Sequence, residues 1–105
     1  MTTPDFSLLE TVRLRRPLVH CVSNIVSAGD CANLALAAGA SPVMAQAPEE
    51  MEAIAAASDA AVLNTGTPDG EKFRACILCG RETAGRNRPV ILDPVGVGAS
   101  PWRLE

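Results

Sequence analysis

The chain has 105 residues, 48% of them hydrophobic and 20% charged, a balance that fits one globular domain with a modest core and excludes a disordered segment. Its net charge is −3, and the densest basic cluster, Arg13, Arg15 and Arg16, covers a single helical turn, so the positive field that nucleic-acid binding needs is missing. Residues 1–5 are polar and acidic, and the longest nearly apolar stretch, residues 31–40, is too short and Ala-rich to cross a bilayer, so neither a targeting segment nor a membrane span is expected.

In chain order, short β-like runs alternate with longer helical segments. Thr3-Pro4 reads as a helix N-cap and first position, with Leu8, Leu9 and Val12 as an apolar stripe ending before Pro17. Leu18 to Val22 is a strand. Ser27 and Asp30 resemble a capping box that opens an Ala-rich helix, which Gly39 stops. Pro42-Val43-Met44 is a short extended piece. Pro48-Glu49-Glu50 suits a helix N-terminus, with Met51, Ile54, Ala55 and Ser58 following at helical spacing. Ala60 to Leu63 is the next strand, and Thr67-Pro68-Asp69 starts a helix expected to bury Phe73, Cys76, Ile77, Gly80 and Ala84. Pro89 to Leu92 is a last strand ending at Asp93. Strands separated by helices of this length predict βαβ units and a parallel sheet.

Ligands of an open parallel sheet collect beyond the carboxyl ends of its strands. Four places qualify: residues 21–24, the turn at Met44, Asn64-Thr65-Gly66-Thr67, and residues 93–99. Gly66 allows close approach to the backbone, and free N–H groups of the following helix suit an anion or hydroxyl; the plainer alternative is a turn glycine followed by a capping Thr67. Asp93, placed after Val90-Ile91-Leu92 and before Pro94-Val95-Gly96, suits a magnesium ion or its water shell, or else caps a turn. The glycines match neither a Walker A loop nor a dinucleotide fingerprint.

Two further features read as structural. Cys76-Ile77-Leu78-Cys79 has CxxC spacing, but mid-helix placement removes the dipole that activates a redox thiol, and a zinc site needs ligands from elsewhere, such as Cys21, Cys31 or His20. Packed, reduced cysteines are therefore expected, as in a cytoplasmic protein. His20, the only histidine, is either a general base or a satisfied residue within a strand.

Four blocks, Pro17-Leu18-Val19-His20-Cys21-Val22-Ser23-Asn24, Ala40-Ser41-Pro42-Val43-Met44-Ala45, Leu63-Asn64-Thr65-Gly66-Thr67 and Leu92-Asp93-Pro94-Val95-Gly96-Val97-Gly98-Ala99, resemble in order and spacing the opening of hydroxyethylthiazole kinases. The resemblance covers residues 16 to 103. It implies a three-layer α/β fold of the ribokinase-like type, of which residues 1–105 form the N-terminal portion of one domain. It also implies magnesium-dependent transfer of the ATP γ-phosphoryl group to the hydroxyl of 4-methyl-5-(2-hydroxyethyl)thiazole, in a cytoplasmic homotrimer. By the same resemblance, Asn24, Met44, Gly66 and Thr67 line the thiazole, Asp93 serves the Mg2+ ion, and the nucleotide site, anion hole and catalytic base lie outside these residues. The family's usual Thr-Asn after the first strand is Ser23-Asn24 here, which keeps the hydroxyl. The rivals are another small-alcohol vitamin kinase, such as a hydroxymethylpyrimidine kinase, and a non-catalytic oligomerising chain.

Overall fold

The computed structural model describes residues 3–104. Four parallel strands form one sheet: β1 (Leu18–Val22), β2 (Ser41–Val43), β3 (Ala60–Asn64) and β4 (Val90–Asp93), in the order β2-β1-β3-β4. The helices are α1 (Ser7–Arg15), α2 (Ala28–Ala38), α3 (Met51–Ala57), α4 (Gly70–Gly85) and α5 (Pro101–Leu104), with 3-10 turns at Pro48–Glu50 and Val97–Ala99. The α/β alternation with a parallel sheet is as the sequence predicts.

Leaving β1, the chain passes through α2 to β2 on one flank, then returns through α3 across β1 to β3, and continues through α4 to β4. With the right-handed crossovers that βαβ units adopt, α2 lies on one face of the sheet and α3 and α4 on the other. The packing agrees, since α3 touches α4 and α1 touches α2.

The core lies on the α3/α4 face, where Val22, Met51, Ala61, Leu63, Ala75, Cys76 and Cys79 form one buried cluster. Removing a side chain the size of Met51 or Leu63 from water contributes about 1.5–3 kcal/mol each. The α1/α2 face is different: neither helix buries a residue, and Leu8, Leu14, Leu34 and Leu36 are all more than half exposed. The expected stripe at Leu8, Leu9 and Val12 thus has no sheet beneath it.

Several local expectations change. Helix α1 starts at Ser7 rather than at Pro4, because the Asp5 carboxylate accepts from the backbone N–H and hydroxyl of Ser7 and provides an entry point that Thr3 does not. Ser27 occupies the N-cap of α2 without capping it; its hydroxyl donates to Asn24 Oδ1 instead of accepting from the helix. Gly39 does end α2, in the left-handed conformation (φ 100°) that glycine adopts at least cost. Helix α4 begins at Gly70, and its cap is Asp69, which accepts from the Lys72 N–H, rather than Thr67.

The buried face of α4 is turned relative to the expected one. Lys72, Ala75, Cys76, Cys79 and Thr83 are buried, while Ile77 and Ala84 are exposed and Phe73 and Gly80 are half-buried. Phe73, Ile77 and Gly80 instead line an apolar groove of ≈ 460 Å³ shared with Leu92, Val97 and Trp102, where the Phe73 and Trp102 rings lie 4.6 Å apart between centroids. The helix has apolar residues over a wide arc, and only part of that arc meets the sheet.

Candidate functional site

The strand order fixes where a ligand fits. β1 continues to one flank while β3, its neighbour, continues to the other, and the helices that follow them lie on opposite faces. Their loops leave the sheet in opposite directions at the carboxyl ends of β1 and β3, the topological switch point, the crevice where ligands of such sheets are expected to bind. Asn24 stands on the β1 side, and Asn64, Gly66 and Thr67 stand on the β3 side. Asp93 lies one strand further, paired in register with Asn64.

Hydrogen bonds lace these loops together. Asn24 Nδ2 donates to Asn64 Oδ1 at 3.1 Å, and Asn64 Nδ2 donates to Asp93 Oδ2 at 3.2 Å. The other end of Asn24 is held as firmly: its Oδ1 accepts from the backbone N–H of Val26 and of Ser27, both at 2.9 Å, and from the Ser27 hydroxyl. Thr67 Oγ1 accepts from the Ile25 N–H at 3.1 Å across the crevice. Toward β4, the Thr65 hydroxyl donates to the carbonyl of Val95 at 2.9 Å, and its N–H to that of Asp93 at 3.1 Å.

Gly66 is buried at the centre of this lacing. Its N–H donates to Asn64 Oδ1 at 2.8 Å, and its carbonyl accepts from the Lys72 ammonium. A Cβ here would stand 2.9 Å from Asn64 Oδ1 and 3.0 Å from Asn24 Nδ2. The space that glycine leaves open is occupied by the two asparagine side chains. Lys72 is itself buried, and desolvation pushes its pKa below the usual lysine value.

Met44 follows β2, on the far side of β1, and is half-buried. Its loop is tied to β1 by two bonds: His20 Nε2 to the Ala45 carbonyl at 2.8 Å, and Gln46 Nε2 to the Ser23 carbonyl at 3.1 Å. Among the described residues no hydrogen bond joins the Met44 side chain to the Asn24–Asp93 group, so of the residues expected at a site, Asn24, Gly66, Thr67 and Asp93 lie in one hydrogen-bonded set of loops and Met44 stands apart from it, beyond β1.

The Ala45 carbonyl can only accept, so His20 carries its proton on Nε2, and Nδ1 is left to accept from the Cys79 thiol at 3.3 Å. Both His20 and Cys79 are fully buried, and both ring nitrogens are satisfied, which matches the structural reading of His20. Burial raises the pKa of Cys21, Cys76 and Cys79 above the ordinary thiol value, the opposite of what a reactive or metal-binding thiolate requires.

Among the described residues no group of three or more His, Cys, Asp or Glu gathers to cage a metal. Asp93 is an exposed single carboxylate with one oxygen engaged by Asn64. That donor set does not enclose a structural ion, but it fits Mg2+, which keeps several waters and takes one or two carboxylates alongside phosphate oxygens. Sequence reasoning did not single out Asn64 within its block, or Arg88, whose guanidinium reaches the carbonyls of Ala55, Ala56 and Ser58 at the end of α3.

The comparisons with known proteins point the same way. The hydroxyethylthiazole kinase of Listeria monocytogenes serotype 4a is 52% identical over 99 residues, covering 94% of this chain and 37% of that protein. That of Methanoculleus marisnigri is 50% identical over 96 residues, covering 91% and 34%. The structure of hydroxyethylthiazole kinase from Pyrococcus horikoshii OT3 superposes with a TM-score of 0.90 at 44% identity, covering 93% of this chain and 39% of that one. The chain thus spans little more than a third of the length of the relatives it matches. The sequence profile of the hydroxyethylthiazole kinase family matches residues 9–105, and the chain belongs to that family.

Proposed function

We propose that the protein carrying residues 1–105 transfers the γ-phosphoryl group of ATP to the hydroxyl of 4-methyl-5-(2-hydroxyethyl)thiazole, and that this portion supplies the thiazole edge and one carboxylate for Mg2+. The observation that carries the reading is the meeting of Asn24, Gly66, Thr67 and Asp93 at the switch point of a chain whose family is named for this reaction.

Within that reading, Asn24 and Thr67 hold the polar side of the thiazole, and Met44, on its anchored loop, offers an apolar wall. Asp93, one of whose oxygens accepts from Asn64, is the residue that would hold Mg2+. When bound, Mg2+ neutralises charge on the phosphates of ATP. Phosphoryl transfer depends on positioning and on charge stabilisation around the γ-phosphate. By the family resemblance the catalytic base and the anion hole lie outside residues 1–105, so those residues alone should be inert.

A homotrimer in the cytoplasm completes the proposal. The exposed Leu8, Leu14, Leu34 and Leu36 on α1 and α2 supply apolar surface for such an assembly, and no described helix is long and apolar enough to cross a membrane.

The test is transfer of labelled γ-phosphate from ATP to the thiazole by the full-length protein carrying these residues, with a hydroxymethylpyrimidine as competing acceptor. Magnesium-dependent labelling of the thiazole is expected. Preference for the pyrimidine would replace the substrate, and no transfer to either acceptor would overturn the reading.

A further inference from the structure

The bonds between Asn24, Asn64 and Asp93 have a direction, and the structure fixes it at both ends. The N–H of Gly66 can only donate, so the Asn64 atom it meets is the amide oxygen, and the amide nitrogen must face Asp93. The N–H groups of Val26 and Ser27 likewise fix the Asn24 oxygen, which turns the Asn24 nitrogen toward Asn64. Asp93, a carboxylate, only accepts. The dipoles of two amides therefore point head to tail from the α2 entry loop into one negative charge, across three strand ends. Bonds arranged this way polarise one another, and the last one, from Asn64 to Asp93, is charge-assisted.

The geometry points to Asn64 as a positioning residue that couples the Asn24 side of the crevice to the Asp93 carboxylate, so that the state of one is felt at the other. This rests on the proposal that Asn24 meets the thiazole and Asp93 the metal. Among the described residues Asn64 is the only side chain bonded to both, and neither of its partners bonds the other. An ion drawing charge from Asp93 weakens the acceptor that Asn64 leans on, loosening the amide that holds Asn24 in place. Linkage requires the reciprocal effect.

The test is a double-mutant cycle in the full-length protein carrying these residues, read by calorimetric thiazole binding without ATP or metal, so that catalysis plays no part. Asp93→Ala should weaken thiazole binding roughly two- to tenfold, the net range of one hydrogen bond felt through a neutral amide. In an Asn64→Leu background the same change should have no further effect. Asn64→Ala repeats the comparison should the leucine variant misfold.

A second reading needs no ligand. The side-chain amide resonance of Asn24 should move on Asp93→Ala when Asn64 is present and stay in place when it is leucine. A purely structural Asn64 would lower stability in both backgrounds and leave the two effects additive. Additive effects on binding, or a stationary Asn24 resonance, overturn the coupling. An Asn24 resonance that moves in a protein with no thiazole affinity overturns instead the assignment of the site.

Discussion

Replacing Gly66 with alanine sets two effects of opposite sign against each other. Gly66 is not among the glycines with positive φ, so alanine adopts its backbone without strain, and the loss of unfolded-state freedom alone would stabilise the protein by about 0.4–1 kcal/mol. Against this, the new Cβ would stand 2.9 Å from Asn64 Oδ1 and 3.0 Å from both Cβ and Nδ2 of Asn24. These atoms cannot drift freely. Asn64 Oδ1 is held by the Gly66 N–H and by Asn24, and Asn24 is held by Val26 and Ser27. Relieving the overlap means stretching the Asn24–Asn64 bond, at about 0.5–1.5 kcal/mol, on top of an overpacking cost of about 1–3 kcal/mol. The net is a loss of about 0.5–4 kcal/mol. In a protein of the relatives' length, that lowers Tm by roughly 1–16 °C. Thermal melting of Gly66→Ala in the full-length protein, with the thiazole KM measured alongside, gives the answer. An unchanged or raised Tm would show that the loop has room to yield and would refute the account of Gly66 as the residue that lets the two asparagines meet.

Arg88→Ala should cost about 1–3 kcal/mol in urea unfolding, because its guanidinium satisfies three carbonyls at the end of α3; a loss under 0.5 kcal/mol would make it an ornament of the surface. Met44→Asp should raise the thiazole KM at least tenfold more than the ATP KM, since a carboxylate beside an apolar ring carries a desolvation cost of a few kcal/mol; equal changes would remove Met44 from the pocket. Thiol titration with a coloured disulfide near pH 8 should show one fast cysteine, Cys31, which is half-buried, while burial keeps Cys21, Cys76 and Cys79 protonated and shielded; a fast phase that survives Cys31→Ser would contradict the packing. Residues 1–105 alone should self-associate, because β4 forms a sheet edge on which Ile91 and Leu92 are about 60% exposed; a monodisperse monomer in sedimentation would refute this.

The strands and most helices were legible because their signals are local. Apolar runs at Leu18 to Val22 and Ala60 to Leu63, breakers at Pro17 and Gly39, and acids after Pro48 each specify a few neighbouring residues. The face of α4 was not, because Phe73, Cys76, Ile77 and Gly80 make a convincing stripe, yet the helix buries Lys72, Ala75, Cys76, Cys79 and Thr83. Periodicity reports that an arc is apolar, not which part of it a sheet will cover. Helix starts were misplaced at Thr3 and Thr67 for a related reason: Asp5 anchors the first turn of α1 in place of Thr3, and the Thr67 hydroxyl serves the loop across the crevice, whereas Ser27 does stand at the N-cap of α2 although its hydroxyl is spent on Asn24. Asn24, Gly66, Thr67 and Asp93 were legible as strand-end residues. The part played by Asn64 was not, since its partners lie 40 residues before it and 29 after it, and no spacing rule connects such positions.

The crevice consumes most of its own polarity, and that bears on what it can bind. Asn24 Oδ1 already accepts from three donors, Asn64 Oδ1 from two, and the Gly66 N–H is occupied. Among the side chains of this group, what remains for a ligand is small: the second amide hydrogens of Asn24 and Asn64, the Thr67 hydroxyl proton, left free because its oxygen accepts from Ile25, and the Asp93 oxygen that Asn64 does not hold. Under the proposed function, three donors and one charged acceptor suit a small heterocycle with few polar atoms better than a ligand with many hydroxyls. The bonds that limit this inventory are also the ones that hold it rigid. If the proposed thiazole site is right, specificity for a sparse ligand and preorganisation of the loops have one cause, the pairing of Asn24 with Asn64 over Gly66.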